Sequence, residues 1–293
     1  MIPPPPTIPI KFTNFGKERF PKKQIFLHFT VSLSAAHRGG RTGHTGDVAH
    51  WERQSYPLGT FCIIDSDGKV YQLFNSSQWA NHLGIKRSLF AEYGLPNLSR
   101  KITRESVGIE LDSLGPLEPA PDGNGFWTAV PTYQKSKWIR NVRVAPENVT
   151  HYPDGWKGWK YMENFHPEQI ESLRQMLLYL CYTYSIPCTY HEDMWDVSPR
   201  ALQQLPGIWQ HVSVRKSGKS DLHPQTELVD MLKGLQADYD RLTAPPAPPP
   251  PPPKPAPLPD IPLIFTNTER DKRQSAKDAA LWSNRRFGTN FKI

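Results

Sequence analysis

The spacing of apolar positions changes several times along the chain, and each change marks an element. Residues 24–32 form an almost unbroken apolar and β-branched run, the pattern of a buried strand, with His28 inside it. Residues 60–64 and 69–74 are two shorter apolar runs around Asp65-Ser66-Asp67-Gly68, and the Asp-Gly step between them predicts a hairpin. Ser106-Val107-Gly108-Ile109-Glu110-Leu111 predicts a further strand with a carboxylate in its apolar run. The period then becomes helical. Pro167 stands at a favoured first position, and Ile170, Leu173, Leu177, Leu180, Cys181 and Tyr184 share one face up to Ser185-Ile186-Pro187. A last helix is expected from Pro224, with Leu228, Met231, Leu232, Leu235 and Tyr239 on one face. A short one is expected over 48–54, with Asp47 as its N-cap and Trp51 on its apolar side.

Between these segments the period is lost. Residues 34–47 are rich in Gly and His, a loop holding His37 and His44. Residues 113–165 are rich in Gly, Pro and aromatics and read as a long elaborated loop, its aromatics suited to packing or to a sugar-stacking wall. Proline sets the boundaries: of 31 in the chain, many fall in residues 3–6 and 245–259. These tracts divide the chain into a Pro-rich arm (1–21), a domain large enough for a sizeable core (22–243), a polyproline linker (244–260) and a basic tail (261–293). Ile261-Pro262-Leu263-Ile264-Phe265-Thr266-Asn267 nearly repeats Ile8-Pro9-Ile10-Lys11-Phe12-Thr13-Asn14. The repeat reads either as a duplicated strand pairing with the domain or as two docking pegs for an assembly.

A formal net charge of +7 suits an anionic partner such as nucleic acid, a membrane surface or an acidic wall polymer. The basic residues lack a recognisable reading element, which argues against nucleic acid. No early apolar segment has the length of a signal-peptide core or a membrane span, so neither is expected. Three cysteines argue against a disulfide framework, and Cys62 and Cys181 lie in apolar runs where a buried thiol is the ordinary outcome.

The chemistry gathers at a few polar residues. A lone His in a strand such as His28 is more often a satisfied core side chain than a ligand. Glu110 reads either as an edge residue facing water or as a base whose pKa burial has raised. His82 follows Trp79 and precedes Gly84 on a loop. His191-Glu192-Asp193 is expected to be a solvated loop, because its acidic groups are adjacent and cannot converge. Residues 207–221 place His211, Lys219 and Asp221 after a short apolar run, and hydrolytic zinc sites use three ligands of the His and carboxylate type with a fourth position left open.

Taken in order, these motifs resemble the zinc-dependent N-acetylmuramoyl-L-alanine amidases, the superfamily that also contains the peptidoglycan recognition proteins, over roughly residues 22–235. Leu27-His28-Phe29-Thr30 is similar to the family's first ligand strand, residues 65–73 to its central hairpin, and residues 106–111 to its Ser-Ile-Gly-Ile-Glu strand. His211, Lys219 and Asp221 are similar to the branch whose last ligand is Asp. The resemblance implies an α/β fold, a central mixed β-sheet flanked by helices with the metal at one end. It implies one Zn2+ on His28, His211 and Asp221, Glu110 as base, Lys219 beside the oxyanion, and His82, Trp79 and Thr60 toward substrate. His223 is the rival third ligand, and Asp221 is preferred because Lys219 sits at the matching offset. Thr60 stands where members often carry Tyr, and Ser213 where they carry an acid.

The activity implied is cleavage of peptidoglycan between N-acetylmuramic acid and L-alanine. The charge, the Pro spacer and the missing signal fit a phage lysin or virion-associated wall hydrolase acting in the host periplasm or cell wall, with phage structural proteins as possible partners of residues 8–14 and 261–267. The alternative is a non-catalytic peptidoglycan-binding or structural component of a phage particle.

Overall fold

The apolar runs pair side by side. In the computed structural model, which describes residues 2–38, 44–137, 139–245 and 269–287, the strands are β1 (Ile8–Pro9), β2 (Gln24–Phe29), β3 (Cys62–Ile64), β4 (Val70–Gln72), β5 (Ser106–Leu111), β6 (Pro116–Pro119), β7 (Phe126–Thr128), β8 (Val149–Trp156), β9 (Trp159–Glu163) and β10 (Gly207–Gln210). The main sheet has the order β1-β4-β3-β5-β2-β10. It is mixed: β3 and β4 form the antiparallel hairpin around Gly68 (φ +78°), while β10, β2, β5 and β3 run parallel to their neighbours. Every residue of β2 and β5 is buried. Interior parallel strands covered on both faces carry continuous apolar sequence, which is why these two were legible. Glu110 therefore lies in an interior strand, and the solvent-edge reading of it does not hold.

The helix Pro167–Tyr184 lays Leu173, Leu177 and Leu180 into the core and stops at Ser185, which takes the left-handed conformation (φ 55°). The helix Thr226–Thr243 packs against it through Leu228, Leu232 and Leu235, beginning two residues after Pro224. The short helix expected over 48–54 is Thr45–Glu52, with His44 at the N-cap position. Asp47 lies inside its first turn, where a negative charge complements the helix dipole without capping.

Two segments differ from their sequence expectation. Residues 113–165 are not a long loop: they contain a four-stranded antiparallel sheet of order β7-β6-β9-β8. Most of its strands are short and only partly buried, β6 begins and ends on Pro116 and Pro119, and the longer β8 shifts register between His151 and Trp156, so no period of two emerges. Residues 8–14, expected within an arm, are part of the domain. β1 adds to the sheet edge beside β4, Phe12 is buried against the rings of Phe15 and Phe74, and Asn14 Nδ2 donates to the carbonyls of Trp51, Gln54 and Tyr56. The second copy, 261–267, lies outside the described residues.

The chain separates into two units, Met1–Pro245 and Pro246–Ile293. The second contains the helix Glu269–Phe287. All three cysteines are free and buried, and among the described residues no helix is long and apolar enough to cross a membrane.

Candidate active site

β2, β5 and β10 are parallel, so their C-terminal ends meet at one edge of the sheet. His28 is the fifth residue of β2, Glu110 is its register partner on β5, and His211 follows β10 directly. Register partners on neighbouring strands present their side chains to the same face. A turn through Gly218 (φ +72°) then returns the chain to Asp221. His28 Nδ1 lies 2.9 Å from His211 Nδ1, and Asp221 Oδ2 is 3.1 Å from His211 Nδ1 and 3.5 Å from His28 Nδ1. All three residues are buried.

The surroundings decide which nitrogens carry protons. His211 Nε2 is 2.7 Å from the carbonyl of Leu83, which can only accept, so the ring proton sits on Nε2 and Nδ1 is a lone pair. His28 is fixed by a longer relay. Its Nε2 is 3.0 Å from His82 Nδ1, His82 Nε2 is 2.9 Å from Ser106 Oγ, and the Ser106 hydroxyl reaches the carbonyl of Thr103 at 3.4 Å. That relay ends on an acceptor, so every proton in it points away from His28 and leaves His28 Nδ1 bare. Two lone pairs and a carboxylate thus face one another with no donor between them, an arrangement that a cation satisfies. Two imidazole nitrogens and one carboxylate are the donor chemistry of a hydrolytic zinc site, so these residues fit that ion.

The electrostatics keep the set in ligand form. Burial, the largest cause, pushes His28 down to about 4. Burial works to raise Asp221, but the positive charge that His211 and His28 would carry if protonated, together with that of Lys219, outweighs it and holds the carboxyl well below its usual range. Glu110 goes the other way: burial, reinforced by Asp221, raises it well above the ordinary carboxylate range, with Lys219 pulling in the opposite direction. Its Oε2 has no hydrogen-bond partner among the described residues.

A groove of about 650 Å³ opens onto these groups, lined by Tyr56, Trp79, His82, Arg100, Arg215 and Lys219 among others. Lys219 borders the groove, and its charge acts on Glu110, Asp221 and His28. Trp79 also borders it, with its indole held by Glu18 (3.0 Å) and covered by the Arg104 guanidinium (4.8 Å from the ring). Thr60 does not reach the groove: it is 1% exposed, and its hydroxyl donates to the carbonyl of Cys62 at 3.3 Å. His82 borders the groove and also holds His28, a contact that sequence reading did not anticipate.

Two His-containing alternatives are resolved by their partners. His223 stands apart from the ligand group, with Nε2 2.8 Å from the Glu163 carbonyl and Nδ1 2.9 Å from the Tyr152 hydroxyl. His191 is not in a solvated loop; it is buried and stacked on Trp209 at 4.3 Å, while Asp193 pairs with Arg200. Ser106 and Gly108 were missed, although they share the face of β5 that carries Glu110. A Cβ on Gly108 would fall 2.8 Å from both His82 Nδ1 and Thr60 Cγ2, so only glycine leaves room for the His82 ring.

The family model Amidase_2, N-acetylmuramoyl-L-alanine amidase, matches residues 18–224. Three solved structures are similar at low TM-score. The endolysin amidase LysCS from Clostridium intestinale URNW has a TM-score of 0.37 and 15% identity, covering 75% of this chain and 91% of its own. The amidase LysC from the same organism gives 0.39 and 16%, covering 78% and 97%. A selenomethionine derivative of AmpD gives 0.39 and 13%, covering 78% and 93%. No curated protein matches. The family match spans well over half of the 293 residues and takes in His28, Glu110, His211 and Asp221, and the chain belongs to the N-acetylmuramoyl-L-alanine amidases, hydrolases of the amide that joins muramic acid to the peptide of peptidoglycan.

Proposed function

We propose that the amidase is zinc-dependent, with His28, His211 and Asp221 as the ligands of a single catalytic Zn2+. When bound, the ion supplies Lewis acidity, polarising a carbonyl and lowering the pKa of a water toward about 7. The remaining work falls to the chain's own side chains. Glu110, kept from full acidity by burial, takes a proton at Oε2 from the attacking water and delivers it to the leaving amide nitrogen. Lys219 holds positive charge at the groove wall, where the carbonyl oxygen of the scissile bond becomes anionic. His82 and Ser106 hold His28 in the tautomer that presents Nδ1. The observation that supports this reading is the convergence of the Asp221 carboxylate with two histidine nitrogens whose ring protons are directed away by the backbone carbonyls of Leu83 and Thr103.

Arg100, Arg215 and Lys219 give the groove a positive wall suited to the carboxylates of a peptide stem. The protein is read further as a phage lysin that works on the host wall, free or carried on the particle, with support from the net charge of +7 and the polyproline spacer. Release of L-alanyl peptide from purified peptidoglycan tests the central claim. Activity should vanish with a chelator and return with Zn2+ alone, at one zinc per active site. Full activity in metal-free protein would overturn it.

A further inference from the structure

Among the described residues, a second group of ligand-type side chains comes together outside this centre. His44, Asp65 and Asp112 are buried, and one ligand atom from each lies within 4.8 Å of the other two. They arrive from separate elements: His44 at the start of the helix Thr45–Glu52, Asp65 at the β3–β4 turn, and Asp112 just after β5. Each is positioned by contacts of its own. The His44 ring stacks on Tyr71 with centroids 3.9 Å apart. Asp65 Oδ1 accepts the N–H groups of Ala35 (2.6 Å) and Ser66 (2.7 Å). The Asp112 backbone donates to the Ile64 carbonyl at 2.9 Å and accepts from Gln169 Nε2 at 3.1 Å. The scaffold thus gathers two carboxylates that would otherwise repel each other.

The informative atom is Asp112 Oδ2. Asp112 is 2% exposed, the Ser32 hydroxyl reaches its Oδ1 at 3.5 Å, and Oδ2 has no hydrogen-bond partner among the described residues. Burial pushes this carboxyl well above its ordinary range, reinforced by the acidic Asp65, Asp47 and Glu110, with a hydrogen bond from Thr30 pulling the other way. A buried carboxylate oxygen in that setting needs a cation or a proton.

We propose that His44, Asp65 and Asp112 form a second metal site, specific for a divalent transition ion of the Mn2+ to Zn2+ series. One imidazole and two carboxylates match that class, whereas Ca2+ and Mg2+ favour oxygen ligands throughout. The ion ties the start of the helix Thr45–Glu52 to the end of the sheet, close to Glu110. The site does not depend on the assignment of the catalytic centre.

The full chain, stripped with a chelator and reloaded with Zn2+ or with Mn2+, is assayed for metal-to-protein ratio by elemental analysis. The expected result is about two zinc ions per wild-type chain, and about one each in Asp112→Asn and in His211→Ala. Should Asp112→Asn fail to fold by circular dichroism, His44→Gln is measured in its place with the same expectation. A wild-type ratio near one that persists in Asp112→Asn and is lost in His211→Ala overturns the second site. A ratio of two persisting in both Asp112→Asn and His44→Gln overturns it as well. A ratio near one that is kept in His211→Ala and lost in Asp112→Asn supports this site and refutes the catalytic one.

Discussion

Gly108→Ala is the smallest change that tests how the ligand set is held. The added methyl would sit 2.8 Å from His82 Nδ1 and from Thr60 Cγ2, and 3.0 Å from His82 Cγ. Comfortable non-bonded contact begins at about 3.5 Å, so the His82 ring and the Thr60 methyl must each give way by roughly 0.7 Å. The His28 Nε2 to His82 Nδ1 bond is already 3.0 Å, and such bonds extend to about 3.2 Å before weakening. The displacement therefore exceeds the slack in the relay, and His28 loses the acceptor that fixes its tautomer. Overpacking should cost about 1–3 kcal/mol of stability. Loss of a ligand's outer hydrogen bond typically lowers metal affinity about 10- to 100-fold. Zinc affinity by competition with a chromophoric chelator, and unfolding by urea, measure the two effects separately. The control is a double-mutant cycle with His82→Ala, because an effect transmitted through that ring should largely disappear once the ring is gone. Zinc binding by Gly108→Ala as tight as wild type, or an equal loss in the His82→Ala background, would refute the reasoning.

Glu110→Gln should keep its zinc and lose about 10²- to 10⁴-fold in turnover. Because the folded pKa of Glu110 is raised, its contribution to stability is present at acid pH and is lost as pH rises through that folded value. The metal-free Gln variant should thus match or exceed wild type in stability at pH 7 and lose that advantage near pH 4; a deficit at pH 7 counts against a buried, uncompensated carboxylate. His223 carries the opposite sign. Burial lowers it from 6.5 to about 4, so its stabilising effect is complete above about pH 6.5 and disappears as pH falls toward about 4, a swing of about 3 kcal/mol. Urea unfolding at pH 7.5 and 4.5 should show a smaller acid loss in His223→Gln than in wild type, and parallel losses would discard the assignment. Phe12→Ala should cost about 3–5 kcal/mol, since its ring is 6% exposed and packed on Phe15 and Phe74. A change under about 0.5 kcal/mol would mean that residues 8–14 are a detachable arm after all.

What could be read from the sequence follows what each residue contacts. β2 and β5 announced themselves because both their faces are covered, and the hairpin because Gly68 must take positive φ. His28, Glu110, His211 and Asp221 were grouped on the chemistry of their types and the family likeness of their order, and the structure brings His28, His211 and Asp221 together. The position of His82 in the relay could not be read, since it depends on Ser106, on the Thr103 carbonyl and on the empty volume over Gly108. Thr60 was assigned toward substrate by alignment with a family Tyr, yet its hydroxyl turns to the Cys62 carbonyl instead. The sheet within residues 113–165 was hidden because its strands are too short and too exposed to display a period.

Both proton relays end on backbone carbonyls, and this makes the two histidines unequal. The acceptor for His211 is Leu83 O, part of the main chain, and no side-chain substitution deletes it. The acceptor for His28 is the ring of His82, which depends in turn on the Ser106 hydroxyl before the backbone is reached at Thr103. A chain of two side chains has two places where it can be cut and one, at Gly108, where it can be pushed aside. The His28 side of the centre is therefore its adjustable side, and it is also the side bordered by the groove through His82. Anything that moves His82 within the groove acts on the lone pair that His28 presents, whereas His211, which also borders the groove, is held directly by the main-chain carbonyl of Leu83.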